Sequence, residues 1–412
     1  MEAIERIASE LEKENNKKAA TDPAVRESLR VVHEFLKNNK VLCYGGTAIN
    51  NLLPAEERFY DPEYDIPDYD FFSKTPQEHA MQLANQLASA GIKEVEVKPG
   101  IHLGTFKVFA DYAGVADITH LDREIFDRLW KEDIARDGIH YVPPNFLRMS
   151  MYLELSRPHG DVSRWTKVYK RLELLNKQYP LTCPAAEKEP TPLSDSLRKE
   201  VEHILSKEDV VLLGITATQL HMGKRKPHWT TPVTLLAKAE VRDKLAQGRK
   251  SKSYKGTDIL PSHTDIYDEN GNIFLRIHET AACHSYHNVG DLNIASIPTI
   301  LQFYFAYLYS GLPEVDVTHI LCVAQRLLDI AANRKKRRFE LLTPADCIGE
   351  QETLTDMRKH KAVLYEKLSK NKSSAEFLKF FFTYNPHDTA TRRKKTRELL
   401  KKTRKIRYES SY

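Results

Sequence analysis

Val41-Leu42-Cys43-Tyr44-Gly45-Gly46-Thr47-Ala48-Ile49-Asn50, followed by Ile66-Pro67-Asp68-Tyr69-Asp70-Phe71-Phe72, decides how this chain is read. An apolar run ends in a Gly-Gly-Thr turn, a helical segment follows it, and an alternating acid pair opens a second apolar run. A glycine pair lets the backbone approach a polyphosphate closely, and a helix beginning there presents free N–H groups to the anion. Strand side chains alternate between faces, so Asp68 and Asp70 share one face with origins roughly 6.6 Å apart, while Tyr69 points the other way. Two such carboxylates suit Mg²⁺ or Mn²⁺, hard ions that take oxygen ligands, and a two-ion site needs its ions about 3.5–4 Å apart.

A third carboxylate completes such a site. Phe106-Lys107-Val108-Phe109 reads as a strand, 111–114 as a tight turn, and Val115-Ala116-Asp117-Ile118 as the returning strand. An acid inside an apolar strand is costly without a partner, whereas an Asp in a turn is ordinary turn chemistry, so Asp117 is preferred to Asp111. Turn, helix, acid-bearing strand, helix and acid-bearing strand, in that order, describe nucleotidyl transfer.

The pattern resembles the DNA polymerase β-type nucleotidyltransferase superfamily. More closely, the two stretches above, with Gly114 to Ile118, Leu155-Ser156-Arg157-Pro158 and Gly160-Asp161-Val162-Ser163-Arg164-Trp165, resemble the poly(A) polymerase catalytic subunits of large nucleocytoplasmic DNA viruses. The likeness is strongest over residues 41–180 and continues more weakly to about 345. It implies that Asp68, Asp70 and Asp117 ligate two Mg²⁺ or Mn²⁺ ions and that Gly45, Gly46 and Thr47 hold the nucleotide phosphates. The implied activity is template-independent addition of AMP from ATP to the 3′ end of RNA. It further implies a viral protein of the host cytoplasm (the viral factory) and the virion, with a second copy or a viral processivity subunit as partner. The gap between Thr47 and Asp68, which contains Pro54, Glu56, Glu57 and Arg58, is longer than the superfamily's common form.

The implied fold is α+β: a polymerase β-type domain, then a degenerate second copy, with flanking helices. Val210-Val211-Leu212-Leu213-Gly214-Ile215-Thr216-Ala217 aligns with Val41 to Ala48, and only one glycine survives. Pro232-Val233-Thr234-Leu235-Leu236 falls opposite Pro67 to Phe71, which sets Val233 and Leu235 where the first copy has Asp68 and Asp70. Such a copy binds no metal and serves as scaffold, RNA platform or subunit interface. Pro180, Pro184, Pro190 and Pro192 mark a semi-rigid linker with the boundary near residue 188. The expected segments are an N-terminal helical segment (1–40), the catalytic domain (41–187), the degenerate domain (188–345), and C-terminal helices with a basic tail (346–412).

Between Asn145 and Tyr179 lie two helices, the second starting at Asp161 and setting Val162, Trp165, Tyr169 and Leu172 on one side. Arg164, Lys167, Lys170 and Arg171 occupy the rest. Superfamily members commonly grip the leaving pyrophosphate with a cation from the helix after the third acid, which makes Lys167 and Lys170 the candidates. Arg334-Lys335-Lys336-Arg337-Arg338 and the C-terminal tail, including Arg392, Arg393, Lys394 and Lys395, are the candidate RNA contacts. From Thr391 to Tyr412 the local charge is +8, against +5 for all 412 residues. The basicity is thus concentrated in the tail, the pattern of an appended polyanion-binding segment.

No apolar run approaches the roughly 20 residues of a membrane span, and the first residues lack a signal peptide's basic and apolar regions, so the chain is expected in cytosol or nucleus. Cys43, Cys183, Cys283, Cys322 and Cys347 lack paired spacing, which suits a reducing compartment. Cys283, His284 and His287 have no second ligand pair at a finger-like distance and read as isolated structural residues. Two other functions fit less well. A superfamily enzyme making oligoadenylate or using a small acceptor would need a closed acceptor pocket, and a non-catalytic RNA-binding subunit would not keep the acid trio that the second copy has lost.

Overall fold

A computed structural model describes residues 2–184, 191–224, 227–280, 282–312, 315–342, 346–388, 401 and 408. It divides into two compact units, Met1–Pro143 with Leu354–Glu409, and Pro144–Thr353 with Ser410–Tyr412. The expected boundary near residue 188 lies outside the described residues.

The first unit begins with α1 (Glu2–Thr21) and α2 (Pro23–Asn38). Asp22 caps α2 by accepting the amides of Ala24 and Val25, Pro23 fits the first turn, and Val31, Val32, Phe35 and Leu36 form its buried apolar stripe. There follow β1 (Leu42–Tyr44), α3 (Gly45–Leu52), β2 (Tyr69–Ser73), α4 (Pro76–Ser89), β3 (Val95–Pro99), β4 (Thr105–Ala110), β5 (Ala113–His120), α5 (Arg123–Leu129), β6 (Ile134–Arg136) and β7 (Ile139–Tyr141). The strands form one sheet in the order β3-β4-β5-β2-β1-β7-β6. β2 runs parallel to β5 and β1 to β7; the other neighbours are antiparallel. Alternation places Phe106, Val108 and Ala110 of β4 in the core and leaves Lys107 on the opposite face.

The second unit carries α6 (Pro144–Leu155), α7 (Trp165–Gln178), α8 (Asp195–Lys207), β8 (Val210–Leu213), α9 (Gly214–His221), β9 (Val233–Ala237), α10 (Ala239–Ala246), β10 (Ser251–Tyr254), β11 (His263–Tyr267), β12 (Ile273–Glu279), β13 (His284–Val289), β14 (Leu292–Ala295), α11 (Ile297–Ser310), α12 (Val317–Ala332) and β15 (Asp346–Ile348). Its sheet order, β10-β11-β12-β9-β8-β14-β13-β15, repeats the first sheet strand for strand and adds β15 at one edge. The parallel pairs recur as β9 with β12 and β8 with β14. α6 packs on α11, with Phe146 against Tyr309 at 5.6 Å and Tyr152 against Phe305 at 6.2 Å between ring centres.

Two expectations change. The strand registers shift the repeat by one residue: Tyr44 faces Asp70 and Leu213 faces Thr234, so Thr234 corresponds to Asp70 and Pro232 to Asp68, not Leu235 and Val233. Period-2 alternation is the reason, because Val233 and Leu235 lie on the buried face at 1% and 0% exposure. The cysteines are not isolated either. Cys183 bonds to Cys322 and Cys283 to Cys347, while among the described residues only the buried Cys43 is free. Separations of 139 and 64 residues are closed by the fold, and spacing along the sequence could not reveal them.

The C-terminal segment returns to the first unit as α13 (Leu354–Leu368) and α14 (Ala375–Phe381). Gln77 donates to the Leu378 carbonyl, Phe382 packs edge-on against Phe106, and Tyr384 pairs with Val97 on the outer edge of the sheet.

Candidate active site

β1 ends at Tyr44 and α3 begins at once with Gly45, whose φ is +73°. Two constraints require glycine there. The left-handed backbone disfavours any side chain, and a Cβ would stand 2.3 Å from Asp70 Oδ2. No side chain caps α3, so its first amides are available to an anion. Thr47 is buried, and its hydroxyl donates to the Asp68 carbonyl at 2.7 Å. That hydroxyl ties the turn to the acid-bearing segment instead of standing open in the turn.

Asp68 precedes β2 and Asp70 is its second residue; Asp117 lies beside Asp70 in the parallel ladder of β2 and β5. Ligand oxygens of Asp68, Asp70 and Asp117 all lie within 4.8 Å of one another. Asp111 is elsewhere, in the β4–β5 turn with φ +46°, where it accepts the Glu94 amide. On β4 Lys107 is the ladder partner of Asp117 and forms an ion pair with it. The sequence reading missed Lys107, although a lone cation amid Phe106, Val108 and Phe109, facing the same side as Asp117, was a readable sign.

The Asp68 carboxyl is raised above its usual range, first by the protein that displaces water around it and then by the charge of Asp117, with Lys107 opposing. Asp68, Asp70 and Asp117 bring three carboxylates together, and Lys107 pairs with one of them. An all-oxygen donor set with that charge fits divalent Mg²⁺ or Mn²⁺. Beneath the site, Tyr44 stacks on Phe72 at 3.9 Å, and its hydroxyl shares a hydrogen bond with Thr119, which contacts Thr105 in turn. Burial, and then the charge of Asp70, pushes the Cys43 thiol up and keeps it protonated.

The row Asp70, Asp117, Lys107 across β2, β5 and β4 has a counterpart in the second unit. Registers across β9, β12 and β11 give Thr234, Arg276, Asp265. Arg276 Nε and Nη2 donate to the two Asp265 oxygens at 2.7 and 2.8 Å, and both residues are buried. The ion pair is kept with its charges exchanged, and Asp68 and Asp70 have no acidic counterpart, their places being taken by Pro232 and Thr234.

Lys167 and Lys170 are exposed on α7, which groups with the second unit. Arg334, Lys335, Lys336 and Arg338 are exposed after α12, while Arg337 is half-buried. Arg392, Arg393, Lys394 and Lys395 lie outside the described residues. No helix among the described residues is long and apolar enough to cross a membrane.

Comparison with known proteins agrees with the motifs. Residues 30–161 match the sequence profile of the family described as "Poly(A) polymerase catalytic subunit". A poly(A) polymerase catalytic subunit of African swine fever virus (isolate Pig/Kenya/KEN-50/1950) is 29% identical over 228 residues, covering 52% of this chain and 46% of the relative. That of Acanthamoeba polyphaga mimivirus is 30% identical over 160 residues, covering 38% of this chain and 27% of the relative. The matches span about half the length of the African swine fever virus relatives, or less. The crystal structure of the Megavirus polyadenylate synthase superposes with a TM-score of 0.79 at 18% identity, covering 99% of this chain and 89% of that one. The likeness read from the motifs thus holds: residues 30–161 carry the sequence of the poly(A) polymerase catalytic subunit family, and the chain has the fold of the Megavirus enzyme.

Proposed function

We propose that this chain is a template-independent polynucleotide adenylyltransferase that adds AMP from ATP to RNA 3′ ends. The observation that carries the reading is the clustering of Asp68, Asp70 and Asp117 within 4.8 Å, beside a glycine turn that only glycine can form. Two Mg²⁺ or Mn²⁺ ions held by these three carboxylates would activate the attacking 3′-hydroxyl and neutralise charge developing on the phosphates. The protein's own part is positioning. Amides of Gly45, Gly46 and Thr47 seat the β- and γ-phosphates at the start of α3, and Thr47 keeps that seat in register with Asp68. Lys107 orients Asp117 toward the acceptor end. Lys167 and Lys170 take the departing pyrophosphate, and 334–338 with the basic tail hold RNA upstream of its 3′ end.

The same reading places the protein in the host cytoplasm at viral factories and in the virion, working as a homodimer or with a viral processivity subunit. Support for a partner comes from α1, where Ile4, Ile7 and Leu11 are 74%, 50% and 55% exposed at helical spacing. Purified protein, a labelled RNA primer and each of the four nucleoside triphosphates in turn test the function. Long tails with ATP alone are expected. No extension with any nucleotide, or extension of a small acceptor in preference to RNA, would overturn it.

A further inference from the structure

In the second unit a cavity of about 300 Å³ opens beside the Gly214 turn. Gly214, Thr234, Arg276, Tyr304, Tyr307 and His319 are among its lining residues. Strand register makes this place the counterpart of the catalytic centre: Gly214 answers to Gly45, Thr234 to Asp70 and Arg276 to Asp117. The turn has kept its shape, with φ +75° at Gly214 against +73° at Gly45, and a helix starts at each glycine. A repeat surviving only as scaffold has no need of this backbone, and larger side chains at Gly214 and Thr234 would have closed the cavity.

What changed is the chemistry of the wall. Where the first unit has Asp70 and Asp117, the second has a threonine hydroxyl and a guanidinium, and Asp316, whose carboxylate accepts the His319 amide at the start of α12, also lines the cavity. Asp265 holds Arg276 in a two-pronged pair, which fixes the guanidinium plane and offsets much of its charge. One cation offset in this way suits a single phosphate group and not a triphosphate with its metal ions. Tyr304 and Tyr307 line the same cavity, and base-on-aromatic stacking tolerates any nucleobase.

We propose that this cavity is a second, metal-independent nucleotide site, which takes one nucleotide phosphate at Arg276 and the Gly214 turn and stacks the attached base on its tyrosines. The phosphate belongs either to a free nucleoside monophosphate or to one residue of an RNA strand, and the two sources share this chemistry.

The test uses the full chain carrying Asp68→Ala and Asp70→Ala, in excess EDTA, so that metal-dependent binding at the first centre is removed and the result does not depend on the function assigned to it. Fluorescent AMP and a labelled oligoadenylate are titrated separately, by anisotropy. Saturable binding of at least one probe is expected. Thr234→Phe, which fills the cavity, and the paired change Asp265→Leu with Arg276→Met, which removes both charges together, should each weaken that binding at least tenfold without altering circular dichroism. AMP binding alone would assign a free nucleotide, and oligoadenylate binding alone would assign a strand residue. Absence of binding to both probes, or binding unchanged in a folded Thr234→Phe variant, overturns the proposal.

Discussion

The two sheets share strand order, parallel pairs and a glycine turn, yet the three side chains at their centres are of opposite design. Asp70, Asp117 and Lys107 form an excess of negative charge with Lys107 partly exposed at 40%, whereas Arg276 and Asp265 form a buried, neutral pair beside the half-buried Thr234. Opposite charges across neighbouring strands satisfy the sheet in either order, since cross-strand pairing is indifferent to which strand carries which sign. Catalysis is not indifferent. The difference teaches that the fold accepts either charge set at three ladder positions.

Removing the acids should break the comparison most visibly. Asp68→Ala, Asp70→Ala and Asp117→Ala should each lower primer extension at least about 10³-fold with the fold intact, while Asp111→Ala stays near the parent rate. Activity within tenfold of the parent in any of the three would remove that residue from the centre. The glycines sharpen the contrast. Gly45→Ala should reduce extension about 10²-fold, because the added methyl displaces Asp70, whereas Gly214→Ala meets Thr234, at 3.3 Å from Oγ1 and 3.4 Å from Cβ, and should leave extension within a few-fold. Equal losses at both glycines would mean that the turns act alike.

Charge reversal predicts an asymmetry in stability. Arg276→Met strands a buried Asp265 carboxylate and should cost about 3–5 kcal/mol in denaturant unfolding, while Lys107→Met, at a partly exposed pair, should cost about 1 kcal/mol or less. Comparable losses would show that the two pairs are equally buried in solution. Acid should separate the units further. Burial lowers His221 and His263 to about 4 and His284 to about 3, and lowers His278 and His287 as well, five groups in the second unit against His79 and His120 in the first. These groups are neutral when folded and take protons on unfolding, so stability is full above about pH 6.5 and declines toward pH 4, by up to about 1.4 kcal/mol per pH unit for each histidine. Hydrogen exchange at pH 7 and pH 5 should show protection lost first in β11–β13. The smallest effect expected is that of ending the chain at Ala390. RNA affinity should weaken, each lost phosphate contact reducing the salt slope by about 0.7, while the rate at saturating primer holds. An unchanged salt slope would exclude the tail from RNA binding.

The sequence made the first centre largely legible because its determinants are local. A turn, an i, i+2 acid pair and an acid in an apolar strand all lie within short windows. The Lys107–Asp117 pair needed the β4–β5 register, the Thr47 hydrogen bond needed the path of the long 54–67 segment, and the disulfides needed tertiary closure. The repeat was legible in its order of elements and misread by one residue in β9, where Val233-Thr234-Leu235-Leu236 offers apolar side chains on both faces and little alternation fixes the register.

The outer edge of the first sheet carries a further consequence. Val97 of β3 finds its backbone partner in Tyr384, and residues 354–409 complete a unit whose other residues are 1–143. A ribosome must therefore deliver residues 144–353 of the second unit before the first can close. Until then β3 presents an open edge, a template for pairing with other chains. Chains stopped before Tyr384 should hold all three acids and still lack a closed first unit, so this order of synthesis delays its completion until Tyr384 has emerged.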